Sequence, residues 1–119
     1  ADAKNTGLPC GSFDFAVCNN LVHHIAEPGL LFREIARLLR HGGGIFIRDL
    51  RRPRTARELA AHMANCSGDT PRQRELLRDS LLAALRPEEV AEFVKGAGLR
   101  GVVLAEAGDR HWELRRPAR

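Results

Sequence analysis

The chain has 119 residues, about the length of one domain, so it lacks room for separate catalytic and cofactor-binding domains of ordinary size. Its 44% hydrophobic and 29% charged residues are typical of a globular protein and disfavour disorder and a membrane-spanning chain. The formal net charge of +4 permits a polyanion partner, but a general excess of arginine explains it as well, so we do not expect nucleic-acid binding. We expect one domain over residues 1–119.

The start of the chain and its cysteines bear on location. The first residues lack the basic and then apolar pattern of a signal peptide. The cysteines Cys10, Cys18 and Cys66 are odd in number and lack the spacing of a disulfide scaffold, which favours reduced thiols. These features predict a cytoplasmic protein.

The first half of the sequence predicts a strand, a helix and a second strand. The apolar, β-forming segment from Phe13 to Cys18 predicts a buried parallel strand. Apolar residues at helical spacing predict an amphipathic helix that begins at Pro28 and ends at Gly42-Gly43. The segment from Ile45 to Ile47 predicts the second strand, which ends at Arg48-Asp49, so that the three elements form a βαβ unit.

The second half predicts three helices and then a pair of strands. Capping boxes begin two helices at Thr55 and Thr70, and a third helix begins at Pro87. The strands Val102 to Ala105 and His111 to Leu114 are expected to be antiparallel. The inward positions predicted for the three helices are Leu59, Met63, Cys66, Leu77, Leu81, Leu85, Val90, Phe93, Val94 and Ala97.

Polar residues follow both strands of the βαβ unit. They are Asn19, Asn20, His23, His24, Asp49, Arg51 and Arg52. Ligands of open α/β sheets bind outside the carboxyl ends of the strands, so these residues can share one crevice. The arginines from Arg48 to Arg57 either face an anionic substrate there or form a solvated basic loop.

An ordered set of short motifs resembles a known family. The residues that carry the resemblance are Asp2-Ala3, Leu8-Pro9, Gly11-Ser-Phe-Asp14, Leu21-Val-His-His24, Pro28, Arg37-Leu-Leu-Arg-His-Gly-Gly43, Asp49-Leu50 and the segment from Pro87 to Gly98. In this order they resemble the later half of class I S-adenosylmethionine-dependent methyltransferases, in particular small bacterial ones. The resemblance runs over nearly the whole chain.

The resemblance implies a partial Rossmann-like α/β sheet. The strands would be the fourth onward of a seven-stranded sheet, in the order four, five, seven, six, with the last strand antiparallel. The family's Gly-rich turn after its first strand and the acidic residue that ends its second strand are absent from this sequence, so we expect a truncated methyltransferase fold. The glycines from Gly42 to Gly44 follow a helix and enter a strand, and therefore do not replace that turn.

The resemblance also implies a cofactor site for S-adenosylmethionine. The carboxylate of Asp2 would receive the adenine amino group, and the stretch from Cys18 to Leu21 would run past the methionine part of the cofactor. The cofactor-binding positions implied in this way are Asp2, Ala3, Cys18, Asn19, Asn20 and Leu21.

Three residues are candidates for catalysis of methyl transfer to a small molecule. His23 and His24 could remove a proton from the acceptor, and Asp49 could contact the substrate; the alternative for all three is a packing or capping role. His62 and Cys66 have the spacing of metal ligands on a helix, but no second pair accompanies them, so we expect no metal site.

Two functional hypotheses follow. The first is a truncated methyltransferase-like protein that binds S-adenosylmethionine weakly or not at all on its own. The second is a noncatalytic assembly module that uses the open sheet edge or the arginine cluster. Because the strand Phe13 to Cys18 would have an unpaired edge, we expect either a homodimer through that strand or a separate amino-terminal polypeptide that covers it.

Overall fold

Strands and helices alternate through the first half of the chain, and three consecutive helices precede the last two strands. The computed structural model describes residues 2–64 and 70–119. The elements are β1 (Phe13–Asn19), a short 3-10 turn (Val22–His24), α1 (Pro28–Leu38), β2 (Leu39–Leu50), α2 (Ala56–Ala64), α3 (Pro71–Ala83), α4 (Pro87–Gly96), β3 (Val103–Ala107) and β4 (His111–Arg116). In the described ranges, no helix is both long and apolar enough to cross a membrane.

The strands form one mixed sheet in the order β1-β2-β4-β3. β1 is parallel to β2, and β4 is antiparallel to both of its neighbours. This topology confirms the predicted order four, five, seven, six and the antiparallel last strand. In the described part of the chain, β1 has no strand on its outer side, so its outward backbone groups form no ladder there.

The hydrophobic core lies on the face of the sheet that α1 and α4 cover. Alternate residues of the inner strands, such as Ile47 and Leu114, are fully buried there against Phe32 of α1 and Val90 of α4. The largest buried side chain is Trp112, on β4. Period-two alternation along each strand thus directs one set of apolar side chains into this core.

The opposite face of the sheet carries apolar side chains that remain exposed. Val17 on β1 is 65% exposed and Val103 on β3 is 64% exposed, while Phe15 is 47% exposed. Arg115 lies over the ring of Phe46 on the same face, with its guanidinium carbon 5.6 Å from the ring centre. One face of the sheet is therefore packed and the other largely open to solvent.

The end of α1 differs from the prediction. The helix ends at Leu38, and Leu39 is already extended, with φ −75° and ψ 136°. Leu39 pairs with Phe13 at the start of the parallel ladder, and its buried side chain joins the core. Gly42-Gly43 therefore lies inside β2 instead of ending the helix, although Gly42 does take a left-handed φ of 77°.

The inward faces of α2 and α3 also differ in part from the prediction. The buried residue of α2 is His62, whereas Leu59 and Met63 are only half-buried. Cys66, predicted on the same face, lies outside the described residues. α3 ends at Ala83, so that Leu85 lies beyond the helix, where its backbone bridges to Arg51 of the segment after β2. Burial of Leu85 is thus achieved by an extended segment and not by helical packing.

The remaining elements match the prediction closely. α4 begins at Pro87 and buries Val90 and Val94. The chain reverses at Gly98, which has a left-handed φ of 72°, and the Leu99 amide donates to the Val94 carbonyl oxygen across this turn. β3 and β4 form the predicted antiparallel pair, each slightly longer than expected.

Candidate functional site

The carboxylate of Asp49 lies at the carboxyl end of β2 and is 1% exposed. Its Oδ2 accepts hydrogen bonds from the backbone amides of Val22 at 2.6 Å and His23 at 3.4 Å. Asp49 is on the same face of β2 as Ile45 and Ile47, so the strand's alternation directs it inward. A carboxylate from one strand thus caps the turn that follows the neighbouring strand.

The imidazole of His23 is fixed by the same carboxylate. Its Nδ1 lies 2.5 Å from Oδ1 of Asp49, and its side chain is 6% exposed. Because an ionised carboxylate only accepts, Nδ1 donates. The exposed His24 ring packs against the His23 ring, with 3.9 Å between the centroids and 43° between the planes. The three candidate catalytic residues are therefore in contact, and only His24 is open to solvent.

The backbone turns sharply where β1 ends. Asn20 takes a left-handed φ of 57°, and its amide donates to the Arg48 carbonyl oxygen at 3.0 Å. Asn19 is the last residue of β1 in register with β2, and Leu21 is 37% exposed. Residues 19–21 therefore form an accessible stretch at the carboxyl edge of the sheet, next to the residues that Asp49 holds.

Cys18 lies near the end of β1, on the face of the strand that is directed toward the core. It is half-buried, and burial, with a smaller contribution from the charge of Asp49, raises the pKa of its thiol. A raised pKa keeps the sulfur protonated at neutral pH, so the side chain behaves as a small apolar group. In the stretch that the resemblance assigns to the cofactor, Cys18 would accordingly contribute its backbone and not its side chain.

Asp2 and Ala3 lie in a tight turn at the start of the described chain. The Asp2 side chain is exposed, and its Oδ1 accepts from the Lys4 amide at 2.9 Å. The Asp2 carbonyl oxygen accepts from the Asn5 amide, and Ala3 packs against the hydrophobic core. The turn thus presents a carboxylate to solvent while a methyl group anchors it.

A buried ionic contact that the sequence did not reveal ties this turn to α1. Oε2 of Glu34 accepts from the amide and the hydroxyl of Thr6, at 2.8 and 2.6 Å, and both carboxylate oxygens accept from Arg37. The hydrogen bonds from Arg37, and next those from Thr6, hold the Glu34 pKa well below its usual value. The sequence feature that could have indicated this contact is the position of Glu34, which is next to the inward Ile35 and three residues before Arg37.

Two arginines after β2, Arg51 and Arg52, face inward, whereas Arg54 and Arg57 are exposed, so only part of this segment is a solvated basic loop. Arg51 is 3% exposed; its Nη2 donates to the Asp109 carbonyl oxygen at 2.6 Å and lies 2.8 Å from Oε1 of Glu58. Nε of Arg52 donates to the Ala84 carbonyl oxygen at 2.9 Å. These two side chains join the end of β2 to the helices and to the β3–β4 hairpin.

His111 also lies near the end of β2, opposite Leu50, and the sequence did not single it out for the site. Burial, followed by the positive charge of Arg48, lowers the pKa of its imidazole, against a smaller opposing effect of Asp49. A lowered pKa keeps this ring neutral at physiological pH. The carboxyl edge of the sheet thus holds three imidazoles, those of His23, His24 and His111, each close to Asp49 or to a residue that contacts it.

Three cavities of the described residues lie away from this edge. The largest of these three, about 580 Å³, is at the opposite end of the sheet, and the other two have volumes of about 310 and 250 Å³. None of the three is lined by Asp49, His23, His24 or the implied cofactor residues. Residues 2–64 and 70–119 also contain no group of three side chains placed to hold a metal ion.

Comparison with known sequences identifies relatives of one kind. A family model described as a methyltransferase domain matches residues 1–47. Ubiquinone biosynthesis O-methyltransferase from Xanthomonas oryzae pv. oryzae is 32% identical over 91 residues, which cover 76% of this chain and 36% of the relative. The enzyme of the same name from Xanthomonas euvesicatoria pv. vesicatoria is 31% identical over the same length. The chain thus spans about a third of these relatives.

Comparison with solved structures gives the same fold. Phosphoethanolamine N-methyltransferase 2 from Haemonchus contortus, in complex with phosphomonomethylethanolamine and S-adenosylhomocysteine, superposes with a TM-score of 0.65 at 19% identity over 87% of this chain and 22% of that one. A SAM-dependent methyltransferase from Aquifex aeolicus gives 0.63 at 18% identity over 97% of this chain and 50% of that one. The sequence matches and the shared fold agree, and together they support a class I S-adenosylmethionine-dependent methyltransferase.

Proposed function

We propose that this chain is the later part of an enzyme that transfers a methyl group from S-adenosylmethionine to a small molecule. The observation that carries the proposal is the contact of Asp49 with Val22 and His23, which joins the turn after β1 to the end of β2. This contact fixes the turn after β1 at the carboxyl edge of the sheet, where open α/β folds bind ligands.

The residues at this edge fit the proposed cofactor. Asp2 keeps an exposed carboxylate that can accept from an exocyclic amine. The left-handed turn at Asn20 lies within the accessible stretch of residues 19–21, and strand-end carbonyl groups can accept from an ammonium group. When bound, the cofactor supplies a methyl carbon that is electrophilic because it is attached to a sulfonium.

His24 is the residue we assign to proton removal. Its exposed ring can reach an acceptor hydroxyl, whereas the His23 ring is enclosed and its Nδ1 is committed to Asp49. We therefore regard His23 and Asp49 as positioning residues that hold the turn and the adjacent His24 ring. General bases of this kind commonly contribute about 10²- to 10⁴-fold to the rate.

Weak cofactor binding by this chain alone is part of the proposal. None of the three cavities encloses the implied cofactor residues, so a bound nucleoside would keep much of its surface in water. The open side of β1 lies beside the same residues. We propose that the missing part of the methyltransferase sheet, or another polypeptide, completes the pocket.

The acceptor we propose is a small molecule with a hydroxyl group. The support is the named activity of the sequence relatives, which are O-methyltransferases. Both free cysteines of the described residues lack a disulfide partner there, which agrees with a reducing location, and we propose the cytoplasm.

Calorimetric titration of the chain with S-adenosylmethionine tests the cofactor site. We expect saturable heat with a dissociation constant of about 1 mM or weaker, which is lost in Asp2→Ala. Asp79→Ala, which removes an exposed carboxylate from α3, is the matched control and should bind as the parent does. Equal binding by Asp2→Ala would contradict the adenine role, and no heat at 10 mM ligand would contradict cofactor binding by this chain.

A second candidate function, a noncatalytic assembly module, is favoured by the edge strand. β1 leaves its outer backbone groups unpaired and exposes Phe15 and Val17. Two copies joined antiparallel about Ala16 would place Phe15 of each opposite Val17 of the other, which makes an apolar cross-strand pair. We propose this homodimer as the form of the isolated chain.

Molar mass measured by light scattering after gel filtration tests the dimer. We expect a dimer for the parent chain and a monomer for Val17→Lys, because each lysine would replace the apolar partner of a Phe15 ring and add a charge to the interface. Val103→Lys is the matched control, since Val103 is equally exposed on the other edge strand, β3. A monomeric parent, or a dimer that survives Val17→Lys, would reject this interface.

A further inference from the structure

The largest described cavity lies at the amino-terminal end of the parallel strands, away from the candidate site. It has a volume of about 580 Å³ and is bounded by the start of β2, the turn after α4 and the end of β4. Gly42 in its wall and Asp49 are seven positions apart on β2, which corresponds to about 23 Å along the strand. The cavity is therefore independent of the crevice at the carboxyl edge.

The lining of this cavity is strongly basic. Its ionisable side chains are Arg40, His41, Arg100, Arg116 and Arg119, and it contains no aspartate or glutamate. Nε of Arg40 is ion-paired with Asp14 at 2.8 Å. The other three arginines form no ion pair with an acidic side chain in the described ranges, and Nη1 of Arg40 also donates to the main-chain oxygen of Arg119 at 2.8 Å. The side chains of the lining therefore carry a clear excess of positive charge.

Arg116 is held in a fixed position in the wall. Its Nε donates to the Gly43 carbonyl oxygen at 2.8 Å and its Nη1 donates to the Arg100 carbonyl oxygen at 2.9 Å. Both partners are neutral, so these bonds orient the guanidinium without cancelling its charge. A guanidinium has five N–H donors, and the remaining three stay available to a ligand oxygen.

Glycines open the rim of the cavity to a ligand. Gly42, Gly98 and Gly101 all line it and all take left-handed φ values, between 70° and 77°. At Gly98 a β-carbon would meet no atom within 4 Å, so the space above this turn is empty. A ligand can thus approach the main chain on one side and Arg116 on the other.

We propose that this cavity binds a small polyanion with two or more phosphate groups, of the pyrophosphate class. Guanidinium groups match phosphate oxygens in geometry and charge, and three arginines without an acidic side-chain partner suit a ligand of several negative charges. The volume lies within the range of ligand pockets and leaves room for an organic group attached to the phosphates. The site is separate from the proposed methyl-transfer function and does not depend on it.

Titration of the chain with sodium pyrophosphate, monitored by amide NMR spectra, tests the site. We expect saturable shifts at Gly42, Gly98 and Gly101, with the amide of Gly108, in the distant β3–β4 turn, unchanged. Arg116→Gln should weaken binding at least about tenfold, since it removes a charge-assisted contact. Arg100→Glu reverses an exposed charge in the lining and should weaken binding as strongly without touching the core.

Arg57→Gln is the matched control, because Arg57 is exposed on α2 and does not line the cavity. Its binding of pyrophosphate should equal that of the parent. The proposal is wrong if the folded chain shows no saturable shifts at 5 mM pyrophosphate, or if Arg57→Gln weakens binding as much as Arg100→Glu. Tighter binding of a short single-stranded oligonucleotide than of pyrophosphate would also overturn it, since affinity would then follow overall charge.

Discussion

Asp49 and His23 are 26 residues apart in sequence, yet Oδ1 of the first lies 2.5 Å from Nδ1 of the second. The same carboxylate accepts from the Val22 amide, so one buried side chain satisfies both the main chain and the imidazole of a single turn. This arrangement links the geometry of the candidate site directly to the stability of the fold, and the first two predictions depend on it.

Replacement of Asp49 by asparagine should destabilise the chain. The amide keeps the size of the carboxylate but loses its charge and one acceptor, which leaves a buried donor without a full partner. We expect the free energy of unfolding to fall by about 2–3 kcal/mol, measured by urea denaturation. Asp79→Asn, on the exposed face of α3, should leave it unchanged. A stability of Asp49→Asn equal to that of the parent would show that the contact contributes nothing.

The two adjacent histidines should separate into a structural and a catalytic residue. His23→Asn should lower the stability, because it removes the Asp49 contact, whereas His24→Gln should not, because its ring is exposed. In transfer of a labelled methyl group from S-adenosylmethionine to catechol, His24→Gln should reduce the rate by about 100-fold. Full activity in His24→Gln would exclude it as the base.

Glu34 should make the stability of the chain depend on acid pH. Its pKa in the folded chain is held below the ordinary value of 4.5, first by Arg37 and then by Thr6. A lowered pKa means that the unfolded chain binds the proton more readily, so the stabilisation is complete above that value and is lost as the pH falls below it. In Glu34→Gln the loss of stability between pH 5 and pH 3 should be shallower, as measured by thermal unfolding across that interval.

The control for this titration is Glu92→Gln, an exposed substitution on α4. It should keep the slope of the parent between the same two pH values. Parallel slopes for Glu34→Gln and the parent would mean that the contact with Arg37 and Thr6 is not formed in solution.

Gly44 and Phe15 should show strong energetic coupling. The two residues are paired in the β1–β2 ladder, and a β-carbon at position 44 would overlap the Phe15 ring. We expect Gly44→Ala to lower the free energy of unfolding by about 1–3 kcal/mol, as overpacking does, and Phe15→Ala to relieve most of that loss in the double variant. Additive effects of the two substitutions would show that the ring does not lie over the glycine.

The sheet could be predicted from the sequence because its order came with the family resemblance and its strands are strongly apolar. Where the prediction was wrong, a tertiary contact outweighed a local signal. Gly42-Gly43 has the composition of a helix stop, but α1 ends four residues before Gly42, because Leu39 is already extended and pairs with Phe13. His62 is buried in α2 in place of Leu59 and Met63, and no helical periodicity distinguishes those alternatives.

For the candidate site, the sequence predicted which polar residues follow the strands at one edge of the sheet, but not the hydrogen bonds between them. His23, His24 and Asp49 were predicted there because each follows a strand, and strand polarity alone decides that placement. The pairing of Asp49 with His23, in preference to His24, depends on which ring the 3-10 turn directs inward. The contact of Thr6 with Glu34 spans 28 residues and has no local signature at all.

The bare face of the sheet has a practical consequence for anyone handling the purified chain. Val17 and Val103 lie on the two edge strands of the exposed face, with Phe46 and Arg115 between them, whereas the opposite face packs against the hydrophobic core. Only the exposed face of the sheet should therefore adsorb to apolar surfaces. The folded chain should increase the fluorescence of hydrophobic dyes and bind plastic or detergent micelles through that face, and on heating it should aggregate before it unfolds.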